Sequence, residues 1–104
     1  MMDSVKQTLE HIALHWVIEE LNLITTVSDL ALEFFGKRLV GVDLNPIAYI
    51  KPKTHVAVYI RAKDVEEWKK MTEAFRLYLK NKGREDLLGK IIVISVDFLE
   101  GFWV

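Results

Sequence analysis

Val56-Ala57-Val58-Tyr59-Ile60-Arg61-Ala62-Lys63-Asp64-Val65-Glu66-Glu67-Trp68 changes its period at Asp64, and that change organises the chain. Before it, residues alternate, placing Val56, Val58, Ile60 and Ala62 on a core face and Ala57, Tyr59, Arg61 and Lys63 on the other. After it, Asp64 with Glu67 forms a capping pair. The stripe Val65, Trp68, Met71, Phe75, Tyr78 and Leu79 then predicts an amphipathic helix that Gly83 ends. Past the polar segment 84–90, the run Ile91-Ile92-Val93-Ile94-Ser95-Val96-Asp97-Phe98 predicts a strand covered on both faces. The helical crossover sets it parallel to the strand before it.

Upstream, Val5, Leu9, Ile12, Ala13, Trp16, Val17 and Leu21 recur at helical intervals. Ser4 and Gln7 start this first helix, and the β-branched run Ile24-Thr25-Thr26-Val27 places its end near Asn22. Residues 30–35 and 38–44 flank Gly36-Lys37, a pair that suits a II′ hairpin turn, so two antiparallel strands are expected there. Pro46 argues for an edge or a break beyond them, and Lys51-Pro52-Lys53-Thr54 for a turn. The expected architecture is a single α/β domain over residues 1–104. It has a three-stranded antiparallel meander, a fourth strand parallel to the third, and helices packed on the sheet, in the order αβββαβ. The aromatic tail 99–104 is expected to fold back on the core or to meet a second subunit.

Composition narrows the function classes. The 104 residues are 51% apolar and 28% charged, with a net charge of −1 and no cysteine. Thiolate metal sites and disulfides are excluded, and a reducing cytoplasm is the expected compartment. No signal-like or membrane-spanning apolar run is present, so no membrane partner is expected. A single glutamine, Gln7, beside abundant Lys, Glu, Ile and Val resembles the bias of proteins from hot environments. Charge is uneven along the chain. Between Gly36 and Lys63, six cations (Lys37, Arg38, Lys51, Lys53, Arg61, Lys63) face Asp43 alone, a basic island suited either to a phosphate backbone or to guarding sheet edges.

Val42-Asp43-Leu44, Val58-Tyr59-Ile60-Arg61, the helix from Asp64 and Ile94-Ser95 follow one another in an order that resembles the restriction-endonuclease-like (PD-(D/E)XK) nuclease superfamily. That superfamily includes small archaeal Holliday junction resolvases, and the resemblance covers about two thirds of the chain. It implies a catalytic Asp, Glu and Lys around Mg²⁺ or Mn²⁺. Asp43 matches the metal-binding Asp. Tyr59 stands at the Glu position and offers no carboxylate; Arg61 stands at the Lys position and keeps its charge. The resemblance therefore implies a degenerate site, or an active one in which Glu20, Glu33 or Glu67 supplies a migrated carboxylate.

DNA or RNA is the implied partner, through Lys51, Lys53, Arg61 and Lys63; Tyr59 and Arg61 read either as a phosphate-binding pair or as a packed tyrosine and a solvated arginine on a half-covered sheet. No cofactor is expected unless the site is active. A noncatalytic, homodimeric interaction module is the alternative from a different class. His11, His15 and Glu19 have metal-ligand spacing on the first helix but no evident fourth ligand, and also read as its polar face. The double-stranded-RNA-binding domain shares part of the element order. Asp64, Glu66 and Glu67 put negative charge where that domain contacts phosphate, and the last strand is surplus to it.

Overall fold

The computed structural model describes residues 21–44 and 55–104. Helix α1 (described over 21–35) passes through a 3₁₀ turn at Gly36–Arg38 into β1 (Leu39–Leu44). Strand β2 (Val56–Ile60), α2 (Val65–Asn81), a 3₁₀ turn at Glu85–Leu87, β3 (Ile91–Ser95) and β4 (Glu100–Trp103) follow. The sheet order is β1-β2-β3-β4, with β1·β2 antiparallel, β2·β3 parallel and β3·β4 antiparallel. This is an α/β domain on a mixed sheet, of the order αββαββ.

The expected first strand at 30–35 and its hairpin at Gly36-Lys37 are corrected: both Asn22 and residues 30–35 are helical, so the αβββαβ meander loses its first strand. The reason is packing. Val27, Ala31 and Phe35 recur every four residues and are buried in one core cluster, with Leu23, Leu30 and Phe34 packed against it. Burying such side chains, at about 1.5–3 kcal/mol each, outweighs the few tenths by which β-branched residues disfavour a helix. Gly36, at φ +56°, is where that helix stops. It acts as a left-handed helix terminus, not a hairpin turn.

Strand β2 follows its alternation in part: Val56, Val58, Ile60 and Ala62 are buried, Tyr59 is half-buried, and Arg61 and Lys63 are exposed, but Ala57, expected on the outer face, is also fully buried. Asp64 caps α2, its side chain accepting from the Glu67 N–H at 2.8 Å. The helix closes at Gly83, φ +72°, where Arg84 N–H donates to Leu79 and Gly83 N–H to Lys80, the paired bonds of a Schellman end. The parallel pairing runs from Val56↔Ile91 to Ile60↔Ser95.

Both helices lie on one face of the sheet. They meet through Phe34, Phe35, Phe75 and Tyr78, whose ring centroids stand 4.8–6.0 Å apart. Ile91 and Val93 are buried beneath them, whereas Ile92 and Ile94, on the other face, are only half-buried. The expected cover on both faces of this strand is thus incomplete, and residues 96–98 turn instead of extending it. The tail folds back as β4, with Trp103↔Ile92 and Phe102↔Val93. Among the described residues, no helix is long and apolar enough to cross a membrane. The expected first helix from Ser4 and the turn at Lys51–Thr54 lie outside the described residues.

Candidate nucleic-acid interface

Antiparallel pairing of β1 and β2 decides which cations meet. Leu39 faces Ile60, and Arg61 N–H donates to the Arg38 carbonyl at 2.9 Å. The start of β1 and the end of β2 therefore share one end of the sheet, which gathers Lys37, Arg38, Arg61 and Lys63, all exposed. Lys51 and Lys53 fall outside the described residues.

The turn after β3 closes onto the same end. Val96 N–H donates to the Ile60 carbonyl at 3.1 Å, and Ala62 N–H to Asp97 Oδ2 at 3.2 Å. Arg61 Nη1 stands 3.7 Å from Asp97 Oδ1, with 69% of the Arg61 side chain open to solvent. Arg38 pairs with Glu67, whose carboxylate also accepts from Lys63 N–H at 3.2 Å. The Lys63 amide first, then the Arg38 guanidinium, hold the Glu67 carboxyl below the ordinary carboxylate range. A groove of about 470 Å³ beside α2 is floored by Phe34, Met71 and Ala74 and rimmed by Lys63, Lys70, Asp64, Glu66 and Glu67. Three carboxylates against two ammonium groups make that groove a poor phosphate receptor, and the exposed end of the sheet, where Lys37, Arg38 and Arg61 stand beside the rim residue Lys63, the better one.

Of the three positions matching the nuclease motif, Asp43 lies on β1, Tyr59 on β2 and Arg61 just past the end of β2. Asp43 pairs with Ala57, so it shares the face opposite the described helices with Tyr59, one diagonal step of about 7–8 Å away. Arg61 lies two residues beyond Tyr59, toward the opposite end of the strand, 3.7 Å from Asp97. Among the other carboxylates considered, Glu33 pairs with Lys82 at 2.9 Å and Glu67 with Arg38. Glu20, like His11, His15 and Glu19, lies outside the described residues. Among the described residues no group of three His, Cys, Asp or Glu side chains is placed to share a metal ion.

Sequence reasoning missed Asp97 as the partner of Arg61, since nothing local distinguishes it in a run read as strand. It also left Lys37 and Arg38 out of the candidate interface, although an antiparallel pairing with β2 was enough to bring them in. Comparison with protein-family models, curated proteins and solved structures found no match in any of the three.

Proposed function

We propose that the protein binds nucleic acid on a β1-β2-α2-β3 unit that resembles part of the restriction-endonuclease-like core and whose catalytic constellation is degenerate. The observation that carries this reading is the convergence of Lys37, Arg38, Arg61 and Lys63 on one end of the sheet. Their clustering suits displacement of the counterions condensed along a phosphate backbone. The long, solvent-screened Arg61–Asp97 contact leaves the guanidinium able to exchange its carboxylate for a phosphate fork. Tyr59 standing where a second metal-binding carboxylate is needed favours binding over cleavage, and the lack of cysteine suits a cytoplasmic setting.

The test is a binding shift on duplex and single-stranded DNA across a salt series, with cleavage scored on the same samples in Mg²⁺ or Mn²⁺ beside Asp43→Asn. Salt-steep binding without cleavage is expected. Cleavage lost in Asp43→Asn would instead mean a living nuclease with a migrated carboxylate.

A second reading, a noncatalytic homodimer, is favoured by the sheet face opposite the described helices, where Tyr59, Ile92 and Ile94 are half-buried and Trp103 is 40% exposed. Sedimentation at micromolar concentration separates the two readings, because only this one requires a dimer mass.

A further inference from the structure

Leu99 is the one residue other than glycine with a positive φ, +56°, among the described residues, and it is also 83% exposed. Both properties run against its chemistry. A leucine in the left-handed region crowds its own Cβ, and a leucine in water forfeits the reason for having an apolar side chain. Asn or Gly would make this turn at lower cost. The conformation is nevertheless well anchored: Leu99 N–H donates to the Ser95 carbonyl at 2.8 Å, and Asp97 N–H to Ser95 Oγ at 3.2 Å. Phe98 lies parallel to the Trp68 ring at a centroid distance of 6.1 Å, with 38% of its surface open. The turn ends in an apolar tip backed by a buried indole.

Its position supplies the second argument. The turn carries Asp97, the partner of Arg61, and bonds to Ile60 and Ala62. The tip thus stands at the same end of the sheet as Lys37, Arg38, Arg61 and Lys63. Within the turn Leu99 lies between the exposed carboxylates Asp97 and Glu100, and Arg61 is the cation placed against it, 3.7 Å from Asp97; an apolar side chain beside a cation is the chemistry by which minor-groove proteins pry apart a base step while holding a flanking phosphate.

Resting on the nucleic-acid reading above, we propose that Leu99, supported by Phe98, is a wedge that enters a weakly stacked base step of duplex DNA while the neighbouring cations grip the backbone. The substrate class this names is duplex DNA that is easily opened, at pyrimidine–purine steps or mismatches, in preference to uniformly stiff duplex.

The test uses the full chain and a short DNA duplex carrying 2-aminopurine beside a TA step, read by fluorescence and anisotropy over a salt series. The variant is Leu99→Gly, with Leu99→Asn as a second; both suit the left-handed backbone, so the fold is kept and thermal melting verifies it. Wild type is expected to raise 2-aminopurine fluorescence. Both variants are expected to abolish that rise and weaken binding by about tenfold or more, the scale of losing one buried leucine side chain, with the salt slope unchanged. If the variants bind and unstack the duplex as wild type does, the wedge is overturned while the nucleic-acid reading stands. If wild type shows no salt-dependent binding at all, both fail together. Leu99-dependent partition onto phosphatidylcholine–phosphatidylserine vesicles, with no fluorescence rise on DNA, would assign the tip to a lipid surface and overturn the proposal.

Discussion

The indole N–H of Trp68 donates to the carbonyl of Val93 at 3.2 Å, joining α2 to β3, with Trp68 and Val93 both buried. The same indole packs 4.2 Å from the Phe102 ring and lies under Phe98, so one side chain connects the helix, the parallel strand and the folded-back tail. Trp68→Phe removes the donor and part of the volume. The expected cost is roughly 2–3 kcal/mol, from an orphaned carbonyl plus a residual cavity. Urea unfolding checks it as a lower midpoint at unchanged slope.

Asp64 is the N-cap of α2, accepting from Glu67 N–H. Asp64→Ala should cost about 1 kcal/mol and lower the melting temperature by roughly 4–8 °C, whereas Asp64→Ser should recover most of it. Equal losses in the two variants would show that the carboxylate's charge, not its cap bond, matters.

These two elements were legible because their signals are local. The capping pair, the change of period at Asp64 and the glycine stop at Gly83 each act within a turn, and the parallel partner of β2 follows from the helix between them. The segment 22–35 was not, because Thr25, Thr26 and Val27 carry strand propensity while the stripe that makes them helical, Val27, Ala31 and Phe35, gains its energy from α2 across the core. The β3–β4 turn was hidden for a related reason: a leucine at left-handed φ is not a turn signal. The convergence of Lys37 and Arg38 on Arg61 became visible once the register of β1 on β2 was known.

Gly101 lets β4 close on β3. A Cβ placed there would stand 2.6 Å from both Cγ1 and Cδ1 of Ile92 and 3.1 Å from Ile94 Cγ1. Gly101→Ala should therefore destabilise the domain by about 1–2 kcal/mol. Combining it with Ile92→Val, which removes Cδ1, should cost less than the two single changes added, and a double-mutant cycle in urea reads that coupling.

Glu33 on α1 meets Lys82 beyond the end of α2 at 2.9 Å, and the ammonium is the main reason its carboxyl sits below the ordinary value of 4.5. A carboxylate depressed by folding stabilises the fold while ionised. Its contribution is whole above the ordinary glutamate range and is lost as pH falls through the lowered folded value. Lys82, raised by the same pair, loses its share only in the alkaline range. Glu33→Gln should flatten the acid limb of a stability–pH curve. Because the pair is exposed, added salt should shrink the difference between wild type and variant.

Leu99 allows the cost of the apolar tip to be measured apart from any ligand. In the left-handed region a leucine is strained by roughly 1–2 kcal/mol. Asn tolerates that conformation and lacks the extra unfolded-state freedom of Gly, which costs Gly about 0.5–1 kcal/mol of its advantage. The expected order of melting temperatures is Leu99→Asn at or above Leu99→Gly, both at or above wild type, and Leu99→Val below it, since β-branching worsens the crowding. That order would establish that the fold carries leucine here at a loss, which is what a side chain serving a surface requires. If Leu99→Asn and Leu99→Gly instead melt lower than wild type, Leu99 is a packing residue and the tip has a structural role.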